Sequence, residues 1–86
     1  MNERDASMLN VIAQYLNEHG YAITVREIGK AFGLSSTATP HHRLARLRGL
    51  GLVDWVDGES RTVHLTHAGY SALTSERVFG IMRGIE

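Results

Sequence analysis

Residues 20–53, GYAITVREIGKAFGLSSTATPHHRLARLRGLGLV, decide how this chain folds. Thr24-Val25-Arg26-Glu27 has the form of a capping box, in which a Thr hydroxyl takes an orphan backbone N–H and a Glu reaches back. Val25, Ile28, Ala31 and Phe32 then recur at helical spacing, so a short helix follows the cap. Gly33 stops it and Leu34 plugs the turn. Ser35 and Ser36 offer caps for a second helix running to about Arg48, which Gly49 and Gly51 close.

Two short helices joined by a Gly turn have the layout of a helix-turn-helix, which places its second helix in the major groove of DNA. At about 100° per residue, Leu44 and Leu47 of that second helix face the core, with Pro40 beside them. Ala38, Thr39, His42, Ala45 and Arg46 point the opposite way, with His41 and Arg43 on the flanks. Ala38 and Ala45 allow close approach to bases. Thr39, His41 and His42 offer hydroxyl and imidazole groups to base edges. Arg43 and Arg46 are long enough for bases or flanking phosphates. Pro40 lies so near the helix start that it sacrifices at most the first intrahelical hydrogen bond.

On the N-terminal side, Met8, Val11, Ile12, Tyr15, Leu16 and His19 give an amphipathic helix over residues 5–18, ended by Gly20. On the C-terminal side, residues 52–56 and 62–65 are rich in apolar and β-branched types, with Asp57-Gly58-Glu59-Ser60 between them. That pattern predicts a hairpin. A wing built on it would put Arg61 beside Ser60, where it suits a phosphate contact. Thr66 can cap a last helix over residues 67–73, with residues 75–83 as its continuation. The fold class is α+β: a winged helix-turn-helix of three helices, a two-stranded wing and an additional C-terminal helix. The division expected is a DNA-binding unit over residues 1–65 and a helical extension over residues 66–86. Leu73, Val78, Phe79 and Met82 make that extension more apolar than a short tail needs, which suits dimerisation.

Composition narrows the functional classes. The 86 residues suffice for one small core, and without cysteine neither a disulfide nor a thiolate site can staple it. The charged start MNERDASML precedes no long apolar run, so neither a signal peptide nor a membrane span is expected, and a cytoplasmic protein is. Formal net charge is zero, yet residues 34–51 hold three arginines and two histidines and no acid. A local basic face on a neutral domain suits site-specific binding. No phosphate loop, nucleophile elbow or acid–base pair is present, so no enzyme is expected and no cofactor or small-molecule ligand is implied. Neither His64-x-x-His67 nor the adjacent His41-His42 has a third ligand nearby in sequence, so no metal site is expected. The rival class is a protein–protein interaction module with a winged-helix fold and no DNA contact, supported by zero net charge and by Asp57 and Glu59 in the hairpin.

The pattern GY-x-x-TVREIG-x-A-x-GLSST-x-T-x-HH-x-L-x-x-L, followed without a gap by Gly58 and Ser60-Arg61, resembles the N-terminal DNA-binding domain of the LexA repressors of the bacterial SOS response. The resemblance covers residues 20–65 closely and the first helix more loosely. It implies a cytoplasmic regulator, encoded by a bacterium, phage or plasmid, that binds a palindromic operator as a homodimer and represses transcription. Positions matching base contacts are Ser36, Ala38, Thr39, His41 and His42; Thr24, Arg26, Ser60 and Arg61 match phosphate contacts. Pro40 departs from the family pattern and is expected to shift the helix start. LexA proteins also carry a self-cleaving C-terminal peptidase domain with a Ser/Lys dyad. These 86 residues have no room for it, and their single lysine, Lys30, belongs to the second helix.

Overall fold

A computed structural model describes residues 2–75. Helix α1 spans Glu3–His19, α2 Val25–Ala31 and α3 Ala38–Gly49; strands β1 (Val53–Asp54) and β2 (His64–Leu65) pair antiparallel, and residues 67–75 form α4. This is a winged helix-turn-helix with an extra C-terminal helix.

Each helix starts where its polar residues can satisfy orphan N–H groups. Asn2 Oδ1 accepts from Asp5 N–H at 2.8 Å at the head of α1, which begins two residues before the start expected at residue 5. Thr24 and Glu27 close the expected capping box at α2, with bonds of 3.1 and 2.9 Å. Gly33, at φ +68°, makes the left-handed turn that redirects the chain toward α3.

The start of α3 bears the mark of Pro40. Thr37 already has helical dihedrals, and Ser36 Oγ accepts from Ala38 N–H at 3.1 Å. The first backbone bond of the helix comes from His41 N–H to Thr37 O at 3.1 Å, because Pro40 has no N–H to offer Ser36. Its ring is nevertheless buried beside Leu44 and Leu47, as the helical wheel requires.

One core joins these elements. Met8, Leu9 and Ile12 of α1 meet Ile28, Leu44 and Leu47 from the two shorter helices, with Val53, Val63 and Leu65 from the hairpin beneath. Val53 pairs with Leu65 facing inward and Asp54 with His64 facing outward. The ladder is shorter than the apolar pattern suggests, with two residues in each strand. Beyond it the Thr62 hydroxyl accepts from Val56 N–H at 2.9 Å, so a side chain takes the place of a backbone partner.

At the far end, the Thr66 hydroxyl accepts from Gly69 N–H and donates to the Gly51 carbonyl, which ties α4 to the end of α3. Gly69 lies so close to the Leu52 backbone that a Cβ there would run into the Leu52 carbonyl oxygen. That approach turns Leu73, one helical turn on, into the core at 6% exposure.

Candidate nucleic-acid interface

The outward face of α3 is built from small residues and donors. Ser36, Thr37, Ala38, Thr39, His41, His42 and Ala45 are all exposed, and the helix contains no acid. With 12 residues it is about 18 Å long, enough to lie along a major groove about 12 Å wide. Its apolar residues Pro40, Leu44 and Leu47 are spent on the core, so the polar face is free to meet a partner.

Two clefts flank this face. One, of 530 Å³, runs along the turn between α2 and α3 and is lined by Arg26, Lys30, Ser35, Ser36 and Thr37. Two cations and three hydroxyls with no carboxylate suit phosphate oxygens, which both groups can hydrogen-bond. Lys30, Ser35 and Thr37 are functional candidates that the motif reading missed. Lys30 stands four residues after Arg26 on α2, a spacing that puts both on one side of a helix. The other cleft, of 290 Å³, separates α3 from the wing; Thr24, His41, Ser60 and Arg61 line it together with Trp55 and Val56. These four sequence-selected residues, from three separate segments of the chain, thus meet at one opening.

The arginines divide into those held inside the domain and those left outside it. Arg46, expected at the bases, places Nη1 2.9 and 2.8 Å from the two carboxylate oxygens of Asp5 in α1. Arg48 holds the wing: it reaches Asp54 at 2.9 Å, Asp57 at 3.1 Å and the Trp55 carbonyl at 3.0 Å, and lies 4.1 Å over the Trp55 ring. Trp55 Nε1 also donates to Asp57 at 3.0 Å. The wing carboxylates at 54 and 57 are therefore matched by a cation of the same domain. Asp54 titrates below its ordinary range because it accepts from the Trp55 N–H and from Arg48. Arg61 turns back to bond Glu27 in α2 and the Ala22 carbonyl just before that helix, each at 3.1 Å. Among the described residues Arg26, Lys30 and Arg43 make no ion pair. Arg43 stands half-buried beside Arg4, Glu3 and Ser7, at the junction of α1 with α3.

Residues 1–62 match the family described as the LexA DNA binding domain. This chain belongs to that family. The family is defined by binding DNA, not by a catalysed reaction. Among its relatives, the LexA repressor of Lactiplantibacillus plantarum is 40% identical over 73 residues, covering 85% of this chain and 35% of the relative. That of Oenococcus oeni is 41% identical over 70 residues (81% and 33%), and that of Thermobifida fusca 35% over 86 residues (100% and 34%). The chain thus spans about a third of the length of the curated repressors it matches. Two solved mutants of S. aureus MepR share the fold, with TM-scores of 0.76 and 0.74 at 18% and 21% identity. Each covers 99% of this chain, which covers 63% and 62% of theirs.

Of the four residues expected at a dimer surface, Leu73 packs into the core of its own domain, for the reason Gly69 supplies. Val78, Phe79 and Met82 lie outside the described residues. Among the described residues no helix is long and apolar enough to cross a membrane, and no three metal-binding side chains converge.

Proposed function

We propose that this protein is a sequence-specific regulator of transcription that represses by occupying a palindromic operator as a dimer. The observation that carries this reading is the acid-free, exposed face of α3, bounded by a cation- and hydroxyl-lined cleft on one side and the wing on the other. On this reading Ser36, Ala38, Thr39, His41 and His42 meet base edges. Arg26, Lys30 and Arg43, with Thr24 and Ser60, meet the phosphates on either side. Base contacts supply the discrimination and phosphate contacts the salt-dependent affinity. Repression is the role named in the relatives, and two-fold operators call for two-fold proteins.

Of the two wing acids that favoured a protein-binding module, Asp57 is engaged by Arg48, which leaves Glu59 alone without an ion pair among the described residues and weakens that reading. Selection of bound duplexes from a random pool tests the proposal and returns operator, half-site spacing and stoichiometry together. A two-fold consensus with half-sites near one helical turn apart, or a multiple of it, is the expected result. Recovery of unenriched sequence would overturn specific recognition.

A further inference from the structure

The wing is poorly held by its own backbone. Its ladder is two residue pairs long, and residues 55–63 between the strands form no further strand pairing. Hairpins this short do not hold their shape alone. Their position is therefore set by side chains that tie them to the rest of the domain. Arg48 does this on the outgoing side, through Asp54, Asp57 and Trp55. On the returning side Val63 packs into the core, and the polar tie is Arg61.

Arg61 stands at φ +57°, the one left-handed residue other than glycine among those described. L side chains adopt that conformation rarely, so something must hold this one there. Its guanidinium lies 4.8 Å from the Tyr21 ring centroid, donates to the Ala22 carbonyl at 3.1 Å, and reaches the Glu27 carboxylate at 3.1 and 3.4 Å. Glu27 is fixed in turn. One oxygen accepts from Thr24 N–H at 2.9 Å in the capping box, and the other from the Tyr15 hydroxyl at 2.9 Å. A single carboxylate therefore joins α1, the start of α2 and the wing.

We propose that the Glu27–Arg61 pair is a latch that sets the angle of the wing to the helix-turn-helix. Glu27 is then a positioning residue for operator binding, and Arg61 contributes by holding the wing rather than by touching phosphate. The inference rests on the DNA-binding reading, and goes beyond it in assigning a role to an acid that would repel DNA. Simple electrostatics says that removing an anion beside the binding face tightens binding. The latch says the reverse.

Glu27→Gln separates the two, because Gln also satisfies a capping box and the helix start is preserved. The tests use Glu27→Gln, Arg61→Gln, the double variant and Arg61→Lys, with a duplex selected by the unmodified protein from a random pool. Each single Gln variant should lose about two- to fivefold in affinity, as an exposed pair would give. The double variant should lose no more than either single, and Arg61→Lys should recover part of the loss. The salt slope of Arg61→Gln should match the parent's. Amide exchange in residues 55–63 of the free protein should quicken in both single variants while α1 to α3 keep their protection. Tighter or unchanged binding by Glu27→Gln, or a slope lowered by about one unit in Arg61→Gln, makes Arg61 a phosphate contact and overturns the latch. If the unmodified protein selects no duplex, the DNA reading fails and the amides alone judge the latch. Unchanged wing exchange in Glu27→Gln then overturns it.

Discussion

Asp5 is 5% exposed at its side chain, and both of its oxygens accept from the same nitrogen of Arg46, itself 57% exposed. The two residues are 41 positions apart, and no periodicity connects them. If Arg46 swung toward a base, a nearly buried carboxylate would lose its partner, and that cost opposes the move. Arg46→Ala should therefore destabilise the domain by about 1–3 kcal/mol, between the values of exposed and buried pairs. His42→Ala, at an exposed position with no such partner, should leave stability within about 0.5 kcal/mol of the parent and instead cost about 1–3 kcal/mol of base discrimination. Urea midpoints and competition binding measure the two effects separately. A stable Arg46→Ala variant with altered discrimination would mean that Arg46 leaves Asp5 for the operator. Glu27 yields a second prediction at this scale. The Thr24 N–H, helped by the Tyr15 and Thr24 hydroxyls and Arg61, lowers its pKa from 4.5 to about 2. A depressed folded-state pKa stabilises the protein above the unfolded value and ceases to do so as pH falls through the folded one. The stability difference between the parent and Glu27→Gln should thus be constant near neutrality and shrink from about pH 4.5 down to about 2. A gap unchanged across that range would mean that the carboxylate is not held by these donors.

At the scale of elements, the helices were legible in the sequence because their signals are local. The capping box at Thr24, the apolar spacing of α1 and the inward set Pro40, Leu44 and Leu47 all follow from residues three or four apart. The wing was legible as a hairpin but not as one so short. Thr62 reads as a strand former, whereas its hydroxyl bonds the backbone of residue 56 and ends the ladder early. Nor could the basic face be read to the level of single side chains. Arg46, Arg48 and Arg61 look alike in sequence, and only tertiary contacts assign them to α1, the wing base and α2. The seat of α4 is different, since a Gly inside a helix pattern already hints at a close approach. Gly69→Ala adds one carbon where the Leu52 carbonyl stands, and two backbones cannot yield as a flexible side chain can. Despite the better helix propensity of Ala, the variant should lose about 1–3 kcal/mol from overpacking. A thermal melt decides the matter. A Gly69→Ala protein as stable as the parent would show that α4 can lift from Leu52 without consequence.

For the whole molecule, reach limits a single copy. An α3 of 12 residues spans about 18 Å, or about five base pairs at ~3.4 Å each, too few to mark a site among many. Net charge is zero, so nonspecific attraction cannot compensate. Two copies on one palindrome double the reading without new chemistry, and the first copy raises the effective concentration of the second. Among the described residues Leu73 is already in the core, and the large apolar side chains left exposed are Tyr21, Leu50, Val56 and, on α4, Tyr70. Beyond Ser75 the sequence places Val78, Phe79 and Met82 among Glu76 and Arg83, apolar residues in excess of what a solvated tail needs. Phe79→Glu combined with Met82→Glu should therefore leave the helical circular dichroism intact, sediment as a monomer and lose most operator affinity. Binding of one half-site should survive, because α3 and the wing are untouched. A double variant that still sediments as a dimer would move the contact elsewhere, with the Tyr70 side of α4 the next place to substitute. An unmodified protein that stays monomeric at high micromolar concentration without DNA would mean that two copies meet only on the operator, and the cooperativity of binding would then depend on half-site spacing alone.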